Sequence, residues 1–252
     1  MKNWAILSGI EGNIEAYEAV LADIERQKKW VEGIYILGDF IGSRSESERV
    51  VQRIRSPKSN ELSPQVCTGW WEEQCLILYG VGTTGEPTQL IEKYGADAVQ
   101  QLWDSVSRKT VEWIRSLDFG FFELDCLLIH GSSLSVDDEL TPQTPPWQMC
   151  DGRFANRRRH RLMRIDANNL FCGRSGLTFE YELQGGSVSS TVTTLDGQHP
   201  VQTATASPRR VIGVGNVGRE PGKATYTLYD PDTNRVEFRT VRYGESKGFQ
   251  AY

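Results

Sequence analysis

Short apolar runs that end at glycine-containing corners constrain the fold of this chain more than any other feature. Each run is continuous and only a few residues long, as in strands whose two faces are both buried. The runs are Trp4–Leu7, Ile34–Leu37, Cys75–Tyr79, Leu124–Ile129 and Leu170–Cys172. Between the first two runs, residues 14–24 place apolar side chains at helical spacing. The first half therefore predicts strands that alternate with helices, in a sheet covered by helices.

A second helical tract and a strand-rich half follow. The tract covers Pro87–Ser116, with a break at Gly95. After about residue 176, apolar and polar residues alternate, which predicts antiparallel strands. Two hairpins are expected there: Thr178–Leu183 with Val188–Leu195, and a second that turns at Pro231-Asp232-Thr233-Asn234. We also expect one more buried strand at Val211–Val214.

Two segments allow more than one interpretation. Ser56–Trp71 is polar and is predicted to be a loop, in which Trp70 and Trp71 pack locally. The alternative is that the two tryptophans form an exposed contact surface. Arg153–Arg164 is rich in arginine and is predicted to be the solvated face of a helix, with Leu162 turned inward. The alternative for this arginine-rich segment is a strip that binds an anion or a partner.

Composition argues against several classes of function. The 252-residue chain has a formal net charge of −5, whereas general nucleic-acid or membrane-surface binding needs a basic face. No apolar run approaches the length of a membrane span. The five cysteines form no Cys-x-x-Cys pair, and buried reduced thiols are the expected state. We therefore predict a cytoplasmic protein with one domain, residues 1–252, and no signal peptide.

The corners that follow the apolar runs occur in a specific order. They begin at Gly9, Gly38, Gly80, His130 and Gly173. The carboxyl ends of neighbouring parallel strands meet at one edge of an α/β sheet. The order of the corners, together with the segment Val211–Gly222, resembles the calcineurin-like metallophosphoesterases, particularly their compact bacterial phosphodiesterase branch. This resemblance covers nearly the whole chain. It implies an α/β fold, a four-layer α-β-β-α sandwich of two mixed sheets.

The resemblance also implies a metal site, of which this sequence keeps little. In the family, two divalent metals are held by Asp-x-His, Gly-Asp, Gly-Asn-His-Asp, His-Gly and Gly-His-x-His motifs. The metals activate a water that attacks phosphorus. Carried over position by position, the pattern keeps the family's metal-binding residue only at Asp39 and His130. The other ligand positions fall on Gly9, Glu11, Val81, Arg174 and Gly176.

This loss of ligands predicts a degenerate metallophosphoesterase that has lost its dinuclear centre and its activity and acts as a binding or regulatory protein. No cofactor is then expected. The alternative is a metal-dependent phosphoesterase, acting on a phosphodiester or phosphomonoester, in which Glu11, Asp39 and His130 hold one divalent metal such as manganese. Without a metal, Glu11 is expected to be a solvated acid, and Asp39 to cap the turn Gly38–Gly42.

Arg174 replaces a neutral ligand with a fixed cation. We predict that it points into the former site and either satisfies the carboxylate of Asp39 or binds an oxygen of a small anion or phosphate-containing ligand. The candidate catalytic residues, vestigial or atypical, are thus Asp39, His130 and Arg174. The candidate substrate-binding residues are Arg174, Asn13 and Asn216.

Overall fold

The structure is a computed structural model that describes residues 3–27, 31–81, 88–144, 153–156, 161–164, 167–183, 186–190, 193–194, 197–198, 202–206 and 209–244. The described strands are β1 Asn3–Leu7, β2 Val31–Leu37, β3 Gln65–Cys67, β4 Gly120–Glu123, β5 Cys126–Ile129, β6 Arg153–Asn156, β7 Arg161–Arg164, β8 Asn169–Cys172, β9 Thr178–Leu183, β10 Gly186–Ser190, β11 Thr193–Thr194, β12 Gly197–Gln198, β13 Gln202–Ala206, β14 Arg209–Val214, β15 Lys223–Asp230 and β16 Arg235–Arg242. The described helices are α1 Ile14–Arg26, α2 Ser47–Arg55, α3 Trp70–Leu78, α4 Thr88–Tyr94, α5 Ala96–Ser105 and α6 Arg108–Ser116. None of these helices has the length and apolar character that a membrane-spanning segment requires.

Two five-stranded mixed sheets form the framework of the described chain. The first sheet has the order β16-β15-β1-β2-β3, in which β1, β2 and β3 are parallel to one another. The second has the order β4-β5-β8-β14-β9, in which β5, β8 and β14 are parallel. The predicted α/β class with two mixed sheets is confirmed.

Alternate side chains of each apolar run enter different cores, which explains why the runs are continuous. Trp4 and Ile6 of β1 lie between the two sheets, together with Leu128 of the second sheet. Ala5 and Leu7 point to the opposite face, where they pack with the helices. A strand that is covered on both faces has no position that favours a polar residue.

The helices cover the outer face of the first sheet. Helix α1 begins after Asn13, whose side-chain oxygen accepts a hydrogen bond from the backbone N–H of Ala16 at 3.1 Å. Tyr17 and Val20 of this helix are buried in the same core as β1. On the outer face of the second sheet, the described packing comes from Val136 and Leu140 in the segment 132–144.

The second predicted helical tract consists of three helices, α4, α5 and α6. Gly95, with a φ of +83°, separates α4 from α5 as predicted. A second break lies at Val106, which is extended, and Ser107 then caps α6 by accepting from the N–H of Thr110 at 3.3 Å. Pro87 lies outside the described residues.

The predicted strand Cys75–Tyr79 was wrong. Cys75 and its neighbours belong to α3, which begins at Trp70 and packs Trp70, Trp71 and Cys75 into the core. A short apolar run does not by itself distinguish a buried strand from a buried helix. The third parallel strand is instead β3, which lies inside the segment that we predicted to be a loop. The predicted packing of the two tryptophans is confirmed, because both are buried.

Two further predictions concerned the strand-rich half. Strand β9 pairs with β14, and β10 pairs with β13, so the first predicted hairpin was wrong. Alternation fixes which face a strand buries but not which partner it takes. The second hairpin, β15 with β16, is confirmed. The arginine-rich segment Arg153–Arg164 contains the paired strands β6 and β7 instead of the predicted helix, and its residues 157–160 lie outside the described chain.

Candidate functional site

The loops that follow the parallel strands of both sheets meet at one edge of the sandwich. They bring together Glu11 after β1, Asp39 after β2, His130 after β5 and Arg174 after β8. The backbone N–H of Glu11 donates to the carbonyl of Asp39 at 2.8 Å, and that of Arg174 to the carbonyl of His130 at 2.7 Å. The residues predicted from separate corners therefore lie in one cluster.

Asp39 is the anionic centre of this cluster and is completely buried. Its Oδ1 accepts from the backbone N–H of Trp71 at 2.9 Å. Its Oδ2 lies 3.2 Å from Nε2 of His130 and 3.1 Å from Nη2 of Arg219. Burial alone raises the pKa of the Asp39 carboxyl, but the charges of His130, Arg219 and Arg174 outweigh burial and hold the pKa well below its ordinary value. Asp39 is therefore ionised.

His130 is oriented by the backbone of β2. Its Nδ1 donates to the carbonyl of Leu37 at 2.7 Å, which directs Nε2 toward Asp39. Within the described residues Nε2 makes no directed hydrogen bond, although it lies close to the carboxylate. Ser8 stands on the other side of the ring, 3.5 Å from Nδ1. Its buried hydroxyl donates to the carbonyl of Leu37 at 2.7 Å and so connects the corner after β1 to the end of β2.

Arg219, in the loop between β14 and β15, was missed by the sequence reasoning. Its guanidinium donates from Nε to Glu11 Oε1 at 2.7 Å, from Nη2 to Asp39 Oδ2 at 3.1 Å and from Nη1 to the carbonyl of Arg174 at 3.0 Å. Burial lowers the pKa of Arg219, whereas the charges of Glu11 and Asp39 raise it above its ordinary value. An arginine in a loop normally faces solvent. The sequence held only an indirect signal for it. Glu11 and Asp39 lie at corners that lack the other metal ligands, so a cation from elsewhere in the chain is needed to balance them.

Glu11 is an ion-pair partner and not the solvated acid that we predicted as one alternative. Its side chain is 19% exposed, and it accepts the 2.7 Å bond from Arg219. Burial raises the pKa of Glu11, and the nearby Asp39 charge adds to this rise, while Arg219 opposes it.

Arg174 points into the cluster, as predicted, but it does not make the closest contact with Asp39. Its Nη1 lies 3.9 Å from Asp39 Oδ2, and its Nη2 lies 3.9 Å from Asp137 Oδ1, both beyond hydrogen-bond distance. The guanidinium carbon lies 4.6 Å from the ring centroid of Trp70, a cation–π contact. The side chain is only 7% exposed, and its Nε has no hydrogen-bond partner within the described chain.

The third corner lies after β3, at Thr68-Gly69-Trp70-Trp71, and not at residues 79–83. Trp70 and Trp71 follow Gly69 directly, and Glu72 is the first acidic residue after this corner. Glu72 is completely buried and accepts from the N–H groups of Asp39, Phe40, Ile41 and Gly69 at 2.7–3.1 Å.

Glu72 therefore holds the turn Gly38–Gly42, a role that we had given to Asp39. Burial and the Asp39 charge raise the pKa of the Glu72 carboxyl, and its backbone donors oppose that rise. The signal for this carboxylate was in the sequence, since glutamate at the third position of a helix commonly bonds back to the N-terminal backbone. It was hidden by the assignment of this segment to a loop.

Asn13 and Asn216, the other predicted substrate-binding residues, are both bonded within the protein. Asn13 caps α1, and its side-chain amide donates to the carbonyl of Gly218 at 3.2 Å and to the hydroxyl of Tyr243 at 2.9 Å. Asn216 donates to the carbonyl of Gly176 at 3.0 Å and accepts from the N–H of Arg219 at 3.2 Å. Each is nearly buried. These contacts position the loops around the cluster.

Comparison with solved structures identifies the architecture. A crystal structure of a metallophosphoesterase from Sphaerobacter thermophilus superposes with a TM-score of 0.63 at 19% sequence identity, over 96% of this chain and 89% of that chain. The chain has the metallophosphoesterase fold. TT1561 of Thermus thermophilus is similar only at a TM-score of 0.38 and 11% identity, over 95% of this chain and 99% of that chain, which is too low to support an argument. No protein-family model matches the sequence, and no curated protein is significantly similar to it.

The residues at this edge of the metallophosphoesterase fold do not fit a dinuclear metal centre. Such a centre needs several deprotonated donors around each ion. Gly9 and Gly176 carry no donor, and a guanidinium lies between the carboxylates of Glu11 and Asp39. Within the part of the chain that the structure describes, no group of three or more His, Cys, Asp or Glu side chains is arranged to hold a metal ion.

Proposed function

We propose that this protein is a non-catalytic member of the metallophosphoesterase fold that binds a small oxyanion in the former substrate cleft and serves a binding or regulatory role. One observation supports this proposal most directly. Two guanidinium groups, Arg174 and Arg219, stand at the edge where the reaction of the fold family requires metal ions. Fixed cations attract an anion, but they cannot lower the pKa of a bound water as a metal does.

Arg174 is the group that would recognise the anion. It is largely removed from solvent, yet within the described residues its nearest carboxylate oxygens lie at 3.9 Å. One of these carboxylates, Asp39, is already shared with His130 and Arg219. A desolvated guanidinium with unused donors is costly, and an oxyanion would satisfy it through charge-assisted bonds.

The surroundings of Arg174 define the class of ligand. Trp70, Trp71 and Tyr94 form an aromatic wall, with Tyr94 at 4.7 Å and 5.6 Å from the two indoles between ring centroids. Lys93 lies 5.4 Å from the Trp70 ring on the exposed side. The two guanidinium charges of Arg174 and Arg219 are matched in number by the carboxylates of Glu11 and Asp39, so the site has little positive charge to spare. A singly charged oxyanion, such as a phosphodiester or sulfate ester, therefore suits the site better than a doubly charged phosphomonoester.

The experiment compares the wild type with Arg174→Gln and, as a matched control, Arg115→Gln at an exposed position of α6. The probe is bis(4-nitrophenyl) phosphate. Its binding is measured by titration calorimetry, and its hydrolysis by the absorbance of the released 4-nitrophenolate. We expect Arg174→Gln to weaken binding by about tenfold or more, the loss of one charge-assisted contact, and Arg115→Gln to leave it unchanged. Hydrolysis should stay at background with manganese present. Equal affinity in all three proteins would contradict the proposed site.

A second candidate is the metal-dependent phosphoesterase with one ion on Glu11, Asp39 and His130. It is favoured by one feature: His130 donates from Nδ1 to a backbone carbonyl and leaves the buried Nε2 without a directed bond in the described residues, as metal-ligating histidines do. This candidate requires Arg219 to leave its position. Manganese-dependent turnover that disappears in Asp39→Asn would establish it in place of the binding role.

A further inference from the structure

Arg219 connects loops from both sheets at the point where they converge. Its three side-chain hydrogen bonds within the described chain reach the loops after β1, β2 and β8, through Glu11, Asp39 and the carbonyl of Arg174. Its own loop is fixed by Asn216, which accepts from the N–H of Arg219. A single planar cation thus holds four loops together.

The space for this guanidinium depends on two glycines. A Cβ atom placed on Gly176 would lie 2.6 Å from Nη1 of Arg219, and one placed on Gly9 would lie 3.3 Å from its Nε. Any side chain at Gly176 would therefore collide with the guanidinium. These are two of the positions where the resemblance expects metal ligands. A donor side chain at Gly176 would therefore require the tip of Arg219 to leave its present position.

The charge of Arg219 neutralises the two acidic side chains that a metal ion would otherwise neutralise. Asp39 is fully buried and Glu11 is largely buried, and two carboxylates at one site repel each other unless a cation lies between them. Arg219 is hydrogen-bonded to both. It is 26% exposed, so it lies at the mouth of the site rather than beneath it.

We propose that Arg219 is the fixed, protein-supplied cation that replaces metal at this edge of the fold. The loops assemble around it without a divalent ion, and once the guanidinium is removed a divalent ion can take its place between the carboxylates of Glu11 and Asp39. This inference does not rest on anion binding at Arg174, and the two fail independently.

The test compares the wild type, Arg219→Ala and, as a matched control, Arg53→Ala. Arg53 is a largely buried arginine in a separate ion pair with Glu18 and Glu61. Each protein is unfolded thermally with EDTA or manganese, and its metal content is measured by mass spectrometry after dialysis. We expect the wild-type Tm to be the same in both buffers. Both variants should lose about 5–10 °C in EDTA, but only Arg219→Ala should recover with manganese and bind it at least tenfold more tightly than the wild type.

Three results would overturn the inference: a wild-type Tm that falls in EDTA, an Arg219→Ala variant that gains no metal affinity, or equal manganese recovery in Arg53→Ala. If Arg219→Ala does not fold, Arg219→Lys keeps the charge but reaches fewer acceptors. Its Tm should lie below that of the wild type, and a Tm equal to the wild type would refute the requirement for a guanidinium that bridges the loops. Binding of bis(4-nitrophenyl) phosphate, measured on the same samples, tests the Arg174 site separately.

Discussion

The substitution Gly176→Ala tests whether Arg219 is held in place or moves freely. The added Cβ would lie 2.6 Å from Nη1 of Arg219, so the guanidinium has to shift. Gly176 also has a φ of +68°, which strains any other residue. Gly80 provides a matched control, because its φ is +65° but its Cβ would meet no atom of the described residues within 4 Å. The difference between the two alanine variants therefore isolates the displacement of Arg219 from the backbone strain.

The strain common to both variants is about 1 kcal/mol. Displacing the guanidinium weakens charge-assisted hydrogen bonds to Asp39 and to the Arg174 carbonyl, each worth about 1.5–3 kcal/mol when buried. Because Arg219 is 26% exposed, solvent screening reduces the combined loss from these two hydrogen bonds to about 2–3 kcal/mol. Gly80→Ala should then lower Tm by about 2–4 °C and Gly176→Ala by about 6–16 °C.

The assay is thermal unfolding followed by circular dichroism, with urea unfolding as a check on the free-energy difference. Equal losses in the two variants would show that the arginine tip relocates without cost. That result would refute the reasoning that the guanidinium is locked by its three partners.

Three further predictions follow from the buried groups. Asp39→Asn should lower the unfolding free energy by about 3–5 kcal/mol near neutral pH. Because the folded-state pKa of Asp39 lies below its ordinary value, the stabilisation from its carboxylate is present above about pH 4 and is lost as pH falls through the folded pKa. The unfolding free energies of the two proteins, measured by urea unfolding, should therefore converge in strong acid. Glu72→Gln should lower the unfolding free energy by about 2–5 kcal/mol, because the amide group leaves backbone donors unpaired. The control Glu92→Gln, on the exposed face of α4, should lower it by less than about 0.5 kcal/mol. Equal urea midpoints for the two variants would contradict the role of Glu72. Burial raises the pKa of the Cys75 thiol to about 12, and Cys67, Cys126 and Cys172 are buried as well. With Cys150, which lies outside the described residues, replaced by serine, the native protein should not react with a thiol reagent until it is unfolded, and rapid native labelling would disprove the burial.

Much of the framework followed from residue patterns. The run Trp4–Leu7 predicted a strand buried on both faces, and the structure places its alternate side chains in two cores. The turn Pro231-Asp232-Thr233-Asn234 predicted the β15–β16 hairpin, which is confirmed. Both signals are local, because burial on two faces and turn chemistry are expressed within a few adjacent residues.

Other elements were wrong where the decisive contact is distant in sequence. Residues 75–78 are as apolar as a strand, but Glu72 fixes the start of a helix by accepting backbone donors from the β2 corner. Strand β9 alternates like half of a hairpin, yet its partner is β14. Neither the receiving turn nor the pairing partner is visible in the segment itself.

The candidate site also combines features that could be predicted from the sequence with features that could not. The sequence by itself predicted that the corners at Gly9, Gly38, His130 and Gly173 converge, because the carboxyl ends of parallel strands share an edge. It misplaced the third corner, which lies after β3. Only the tertiary structure decided that Arg219, far along the chain, enters the space that Gly9 and Gly176 leave free. The reason is physical: a buried carboxylate attracts whichever cation the folded backbone can deliver within about 3 Å, and that delivery depends on loop geometry that no local pattern encodes.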